Sequence, residues 1–323
     1  MQMRAVIFDG AGGPEVIRIG EVPKPAVAPG QVRVRVHAAA LNRADLVQRR
    51  GHYPAPAGWP SEIPGLEFAG EVEAVRDDVS RWDIGDRVMG LMGGGAQAEY
   101  VVVHEDELIP IPGGLDYAHA AAIPESFLTA YDALSVRAHL RSGERVLIHA
   151  VGSGLGTAAA QIARRMGATV IGTSRSADKL ARATVFGVDQ GVDTSGGSFR
   201  DAVHEPVNVV LDVLGGRALA DNLAVLAPRG RLILLGLLAG RIAQIDLDLV
   251  LRKRVEVIGT VMRTREADER AALAREFTDL MVPLFEHGVL RPVVDRVIRM
   301  SEVPAAHAAL ERNETFGKLV AVW

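Results

Sequence analysis

The chain has 323 residues, of which 48% are hydrophobic and 24% charged, and its formal net charge is -4. This length allows two domains of roughly 100–200 residues each, and a weakly acidic chain has no electrostatic footprint for nucleic acid or an acidic membrane. The absence of cysteine excludes disulfides, thiolate catalysis and cysteine-ligated metal sites. Residues 1–8 lack a signal-peptide pattern, and no apolar run approaches the roughly 18–20 residues of a membrane helix, so we expect a cytoplasmic protein.

Short strands dominate the first 125 residues. Residues 32–37 (VRVRVH) alternate apolar and polar side chains as a half-buried antiparallel strand does, and residues 71–75 and 99–103 are further short strands. Turns rich in glycine and proline separate them. Many short strands at close spacing predict a β-barrel-like domain over residues 1–125.

From about Ser126 strands and helices alternate. The apolar runs that predict strands are 145–148, 168–173, 207–212, 230–236 and 255–259, with helical patterns at 157–163, 177–186 and 217–226. Near-continuous apolar strands between helices indicate a parallel sheet covered on both faces. Residues 126–261 are therefore predicted to form a doubly wound α/β domain.

The last segment begins at about Met262. It contains a long predicted helix over residues 266–287, another over 303–313 and a final strand at 319–322. The final strand has no obvious partner in the parallel sheet, so we expect it to return to the first domain. That domain would then comprise residues 1–125 and 262–323.

A glycine-rich turn joins the strand at 145–148 to a helix of small residues. The turn consists of Gly152, Ser153, Gly154, Leu155 and Gly156. Glycine lets the backbone turn sharply and approach a pyrophosphate, and the helix start offers unpaired N–H groups and a positive dipole end. This order predicts a dinucleotide site; the alternative is an ordinary turn between a strand and a helix.

The next strand ends in Ser174 and Arg175, with Lys179 one helical turn later. A domain that prefers NAD usually places Asp or Glu at this strand end to bind the ribose 2′-hydroxyl. Here no carboxylate is present, and two cations are available for a 2′-phosphate. The pattern favours NADPH over NADH; the alternative is that the two cations form a solvated helix entry.

Several short motifs occur in order before and after the glycine turn. They lie at residues 42–45, 51–54, 65–70, 85–88, 98–100, 124–130, 253–260 and 317–320. This series resembles the quinone oxidoreductase branch of the medium-chain dehydrogenase/reductase superfamily over essentially the whole chain. The resemblance implies a GroES-like β-barrel catalytic domain, a Rossmann domain and NADPH-dependent reduction of quinones or related conjugated carbonyls.

The superfamily's alcohol dehydrogenases hold a catalytic zinc with cysteine and histidine. The resemblance aligns those positions with Asn42, Leu66 and Glu125. A leucine cannot ligate a metal, and one amide oxygen with one carboxylate makes a poor zinc site. We therefore expect no metal and no metal-based Lewis acid.

The resemblance places Asn42, Asp45 and Tyr53 opposite the nicotinamide. Reduction of a quinone needs an oriented hydride and a hydrogen-bond donor to the developing oxyanion. We expect Asn42 to donate an amide N–H, Tyr53 to donate its O–H or stack on the ring, and Asp45 to orient neighbours or a water. Asn42 and Asp45 equally suit a helix N-terminus, and Tyr53 equally suits a loop anchor.

Further cofactor contacts are expected in both parts of the chain. The resemblance implies that Thr129 packs on the nicotinamide and that Lys318 lies near a cofactor phosphate, a solvated tail lysine being the alternative. Ser153 is either a second hydroxyl near the nicotinamide or a spacer in the phosphate turn. The candidate backbone contacts for the carboxamide, at the carboxyl end of a parallel strand where ligands bind, are Gly236, Leu237 and Leu238.

The sequence thus predicts a zinc-independent, NADPH-dependent quinone oxidoreductase acting on a small-molecule quinone or conjugated carbonyl. An enoyl-type reductase of α,β-unsaturated ketones or aldehydes has the same site, and an NADPH-binding sensor with little turnover would keep the same fold. The apolar strand at 255–259 is suited to pair edge to edge with a second copy, which predicts a homodimer.

Overall fold

The computed structural model describes the whole chain, Met1–Trp323. The chain divides into two compact units, one formed by Met1–Leu128 with Met262–Trp323 and the other by Thr129–Val261. No helix in either unit has the length and apolar character needed to span a membrane.

Fifteen strands and ten α-helices make up these units. The strands are β1 (Gln2–Phe8), β2 (Ile17–Pro23), β3 (Gln31–Leu41), β4 (Glu67–Val75), β5 (Arg87–Leu91), β6 (Tyr100–His104), β7 (Leu108–Pro110), β8 (Arg145–Ile148), β9 (Thr169–Ser174), β10 (Gln190–Asp193), β11 (Val207–Asp212), β12 (Leu226–Leu234), β13 (Glu256–Gly259), β14 (Val294–Arg299) and β15 (Lys318–Val322). The helices are α1 (Arg43–Arg49), α2 (Tyr117–Ala121), α3 (Thr129–Tyr131), α4 (Gly154–Arg165), α5 (Ala177–Ala183), α6 (Leu219–Val225), α7 (Leu247–Lys253), α8 (Ala267–Leu280), α9 (Val282–Glu286) and α10 (Val303–Glu311).

The first unit is built on a seven-stranded sheet in the order β14-β15-β3-β4-β5-β7, with β6 also paired to β3, while β1 and β2 form a separate hairpin. Along β3 the valines at 32, 34 and 36 are buried and the residues between them are not, which confirms the alternation predicted from the sequence. The final strand β15 lies antiparallel to β3, with Leu319 opposite Leu41. It therefore joins the first unit, as expected.

The second unit contains a six-stranded, wholly parallel sheet in the order β10-β9-β8-β11-β12-β13. The helices between the strands bury the apolar runs, and Leu147, Ile171, Val210 and Leu232 are each 0% exposed. This is the Rossmann-type doubly wound arrangement that the alternation of strands and helices predicted. Strand β13 forms one edge of the sheet.

One predicted helix is interrupted. Residues 266–287 form two helices, α8 and α9, with Met281 between them at φ -106. Pro283 explains the break, because proline lacks an N–H and its ring clashes with the carbonyl four residues earlier, whereas the first turn of a new helix accepts it. The prediction of one continuous helix was therefore wrong.

Candidate functional site

Asn42 and Asp45 lie at the N-terminus of α1. Asn42 has an extended backbone, and its N–H donates to Asp45 Oδ2 at 2.8 Å. Asp45 is 0% exposed. Its carboxylate therefore caps the helix. The sequence left this role open beside that of orienting neighbouring groups or a water. The Asn42 side chain makes its hydrogen bonds to Glu67 and Lys318.

The Asn42 amide belongs to a buried polar cluster centred on Glu67. Its Nδ2 donates to Glu67 Oε1 at 2.9 Å, and its Oδ1 accepts from Lys318 Nζ at 2.5 Å. Glu67 is 0% exposed, and its Oε1 also pairs with Lys318 Nζ at 2.5 Å. These contacts fix which end of the amide carries the donors, and they leave one Nδ2–H for another acceptor.

Lys318 is only 5% exposed and is bound within this cluster. It is therefore not the solvated tail lysine that the sequence left open. Its contact with a cofactor phosphate stays a prediction. Glu67 and the position of Lys318 were missed by sequence reasoning, although both lie within motifs that carry the family resemblance.

A second carboxyl group, that of Glu125, lies beside Glu67. The Glu125 N–H donates to Glu67 Oε2 at 2.7 Å, and the buried Glu125 Oε2 has no hydrogen-bond partner. Burial, reinforced by the Glu67 charge, raises the pKa of Glu125 to about 7. Burial likewise raises the pKa of Asp45 to about 6, against its hydrogen bond from Asn42. The cluster therefore holds a proton near neutral pH.

Tyr53 lies in the loop after α1, beside Arg263. The guanidinium of Arg263 stands 4.7 Å from the centre of the Tyr53 ring and donates to the Tyr53 carbonyl at 2.8 Å. Burial raises the pKa of Tyr53 to about 12, so the phenol keeps its proton and remains a hydrogen-bond donor. Nothing in the sequence singled out Arg263, which lies 210 residues from Tyr53 in the chain.

The donors in this region do not fit a zinc ion. The Asn42 amide oxygen is bound by the Lys318 ammonium, Leu66 is a buried apolar side chain, and the chain has no cysteine. Zinc takes a tetrahedral set of nitrogen and sulfur ligands. These positions cannot provide that set, because the Asn42 oxygen already binds an ammonium and a leucine has no donor atom.

The glycine turn of the second unit has the local geometry of a phosphate loop. Ser153 is the N-cap of α4, and its Oγ accepts the Gly156 N–H at 3.0 Å. A Cβ on Gly156 would stand 2.6 Å from the Ala150 carbonyl oxygen, so only glycine allows α4 to approach the strand this closely. The helix start therefore fits a pyrophosphate, and the Ser153 hydroxyl serves as a cap.

A buried histidine that sequence reasoning did not use supports this turn. His149 is 1% exposed, and its Nδ1 and Nε2 lie 2.9 Å from Thr173 Oγ1 and 2.7 Å from Asn222 Oδ1. Burial lowers the pKa of His149, so the ring is neutral, with Nε2 donating to the amide oxygen. The ends of β8 and β9 are thereby joined to α6 beneath the glycine turn.

The other predicted cofactor residues of this unit lie at the carboxyl ends of its strands and on α3. Ser174 ends β9, and its Oγ accepts the Ser176 N–H at 3.1 Å. Arg175 is exposed, and Lys179 is partly exposed in the first turn of α5. β9 itself ends without a carboxylate, and Asp193 of β10 lies beside Ser174 in the sheet.

Thr129 and the segment after β12 complete this set. The Thr129 Oγ1 is buried without a hydrogen-bond partner. The Leu238 N–H donates to the Val213 carbonyl at 3.2 Å, and the side chains of Leu237 and Leu238 are 47% and 52% exposed. An orphaned hydroxyl and a backbone turn at the strand ends fit a nicotinamide dinucleotide.

The fold is that of a nicotinamide-dependent dehydrogenase or reductase. Residues 28–113 match the alcohol dehydrogenase GroES-like domain, and residues 154–278 match the zinc-binding dehydrogenase family. The chain is 33% identical to a quinone oxidoreductase of Pseudomonas aeruginosa over 98% of both chains. The protein belongs to the quinone oxidoreductase branch of the medium-chain dehydrogenase/reductase superfamily.

Solved structures of the superfamily superpose over the full length. The quinone oxidoreductase from Coxiella burnetii is 29% identical, with a TM-score of 0.83 and 100% of both chains covered. The JamJ enoyl reductase is 26% identical, with a TM-score of 0.89, and covers 100% of this chain and 99% of its own.

Proposed function

We propose that this oxidoreductase reduces quinones with NADPH and without a metal. The observation that carries the proposal is the Asn42 amide, held by Lys318 and Glu67 so that one N–H remains for an acceptor. An oriented donor of this kind stabilises the negative charge that develops on a quinone oxygen during hydride transfer. A quinone accepts hydride readily, so the protein needs geometry and donors rather than a Lewis acid.

The residues of the first unit have different roles in this reaction. NADPH supplies the hydride when bound. Asn42 and the protonated Tyr53 phenol donate hydrogen bonds to the acceptor oxygen, and Asp45 holds the start of α1 and thereby the Asn42 backbone. The Glu125 carboxyl carries a proton near neutral pH, so the cluster can replace the proton that the reduced acceptor takes up.

The test is NADPH oxidation by the purified protein with 9,10-phenanthrenequinone, with a simple enal as the competing acceptor. We expect quinone-dependent turnover. Asn42→Ala should lower it by about 10²-fold, the usual effect of removing one hydrogen-bond donor to an oxyanion, and Tyr53→Phe should also lower it. Tyr100→Phe is the matched control, because it removes a phenol in β6 that packs under Lys24.

Other outcomes would replace the proposal. Preference for the enal would favour an enoyl-type reductase, the second candidate, to which the likeness to the JamJ enoyl reductase also points. Tight NADPH binding with no turnover on either acceptor would favour a sensor protein.

We further propose that Arg175 and Lys179, with Ser174, bind the 2′-phosphate of NADPH. Arg175→Ala is expected to raise the Kd for NADPH by about tenfold or more, since a charge-assisted hydrogen bond contributes about 1.5–3 kcal/mol. The Kd for NADH should not change. The control is Arg182→Ala on α5, where the Arg182 side chain lies 3.7 Å from Asp178. An equal rise in the Kd for NADPH and for NADH, measured by fluorescence titration, would refute this assignment.

The remaining cofactor residues are assigned to the other parts of NADPH. The pyrophosphate is assigned to Gly152, Gly154, Leu155 and Gly156, and the nicotinamide to Thr129, Gly236, Leu237 and Leu238.

A homodimer is proposed from the edge of the parallel sheet. Strand β13 has no neighbour on its outer side, Val257 is 47% exposed, and the nearby Leu251 in α7 is 75% exposed. An open strand edge next to apolar side chains suits pairing with a second copy. Light scattering is expected to give twice 34.5 kDa for the native chain and a lower mass for Val257→Asp; a native particle of 34.5 kDa would rule the dimer out.

A further inference from the structure

Arg263 is a buried cation that makes no ion pair. It is 4% exposed, and its three nitrogens donate to the Gly93 carbonyl at 2.6 Å, the Tyr53 carbonyl at 2.8 Å and Gln48 Oε1 at 2.7 Å. All three acceptors are neutral oxygens. The carboxyl groups of Asp45 and Glu125 favour the Arg263 charge through space but form no ion pair with it. A buried charge without a direct carboxylate partner is costly to maintain, so anchoring of a loop alone does not explain why a cation stands here.

The ring of Tyr53 is in direct contact with this charge. The guanidinium lies 4.7 Å from the ring centre, within the range in which the negative face of an aromatic ring attracts a cation. Because the same guanidinium also holds the Tyr53 carbonyl, it binds this residue at both its backbone and its ring. Arg263 therefore constrains where the Tyr53 ring lies relative to its backbone.

The far end of the Tyr53 loop has contacts that do not include Arg263. Gln48 Nε2 donates to the Ser61 carbonyl at 3.0 Å, and Trp59 packs so closely on Gly93 that a Cβ there would lie 2.5 Å from the indole. Arg263 also binds Gln48 Oε1 and the Gly93 carbonyl, but these two residues keep their other contacts when the guanidinium is absent. We therefore expect the largest change at Tyr53, which loses both its backbone and its ring contact.

We propose that Arg263 is a positioning residue that sets the Tyr53 phenol against the acceptor. This inference rests on the proposed function, in which the phenol donates to the acceptor oxygen. Arg263 acts through the ring and has no separate contact with the acceptor. Its effect therefore falls on kcat/KM for the quinone and disappears when the Tyr53 ring is absent.

A double-mutant cycle tests this coupling. Arg263→Met, which keeps the apolar stem and removes the charge, is expected to lower kcat/KM for 9,10-phenanthrenequinone about tenfold while leaving the Kd for NADPH unchanged. In a Tyr53→Ala background the same change should alter kcat/KM less than twofold. Arg263→Lys keeps a cation and should recover part of the loss; it also serves in the cycle if Arg263→Met does not fold. Additive effects, or equal loss with lysine and methionine, would overturn the proposal.

A second readout does not require turnover. The chain has four tyrosines, so fluorine NMR of protein labelled with 3-fluorotyrosine gives a small set of signals, and Tyr53→Phe identifies the one from Tyr53. Arg263→Met should shift that signal and leave the other three in place. An unmoved Tyr53 signal overturns the positioning role, whatever the activity. A moved signal in a protein with no quinone turnover would instead show that the proposed function fails while Arg263 still orients the ring.

Discussion

Replacing Lys318 with methionine is expected to lower the free energy of unfolding by about 3–5 kcal/mol, because it leaves one member of a buried ion pair without its partner. Glu67 is 0% exposed, and Lys318 is the cation bound to its carboxylate, at 2.5 Å. The remaining contacts of Glu67 come from the Asn42 amide and the Glu125 N–H. These neutral donors do not compensate a full buried charge.

Denaturant unfolding of the native and variant proteins measures this loss. Lys24→Met is the matched control. Its ammonium pairs with Glu73 at 2.8 Å and lies over the Tyr100 ring, but the Glu73 side chain is 32% exposed and is also bound by Arg33, so a loss of about 1–2 kcal/mol is expected. Adding Glu67→Gln to Lys318→Met should restore part of the stability, since the unpaired charge is removed. A loss below about 1 kcal/mol for Lys318→Met would mean that Glu67 does not depend on this partner.

Replacing Glu125 with glutamine is expected to change how stability depends on pH. The pKa of Glu125 rises from 4.5 to about 7 in the folded protein, chiefly through burial. Between these values the unfolded chain releases the proton while the folded protein retains it, so the contribution of Glu125 is complete at low pH and is lost as the pH rises through about 7. Glutamine does not titrate. The free energy of unfolding of the variant, taken relative to that of the native protein, should therefore rise by about 3 kcal/mol between about pH 4.5 and about pH 8.

The measurement is the difference in unfolding free energy between the two proteins at several pH values. Asp45, whose pKa is raised to about 6, is present in both proteins, so its own pH dependence largely cancels. Glu286→Gln, the same substitution at an exposed position on α9, is the control for the substitution itself. A difference for Glu125→Gln that does not change with pH would contradict the proton assigned to this carboxyl group.

Much of the fold follows from local pattern. The apolar strand β8, the glycine turn and α4 were predicted because strand periodicity, turn chemistry and helix start are properties of neighbouring residues. The same holds for the parallel sheet and for the place of β15. The break in the long C-terminal helix was also within reach of the sequence, since Pro283 marks it.

The candidate site could be predicted from the sequence only in part. Asn42, Asp45 and Tyr53 were selected from motifs, but their surroundings depend on residues far away in the chain. Lys318 meets the Asn42 side chain across 276 positions, and Arg263 meets Tyr53 across 210. No periodicity or spacing encodes such contacts, because they form only when separate strands and loops pack together.

The sequence by itself determined the kind of fold, the phosphate turn and the residue types available for chemistry, because these depend on local backbone preferences and on composition. Only the tertiary structure decided that the Asn42 amide binds Lys318 and Glu67 while Asp45 caps the helix. It also decided that Glu125 holds a proton near neutral pH. Burial and the sum of nearby charges set these properties, and both arise from the packing of the folded chain.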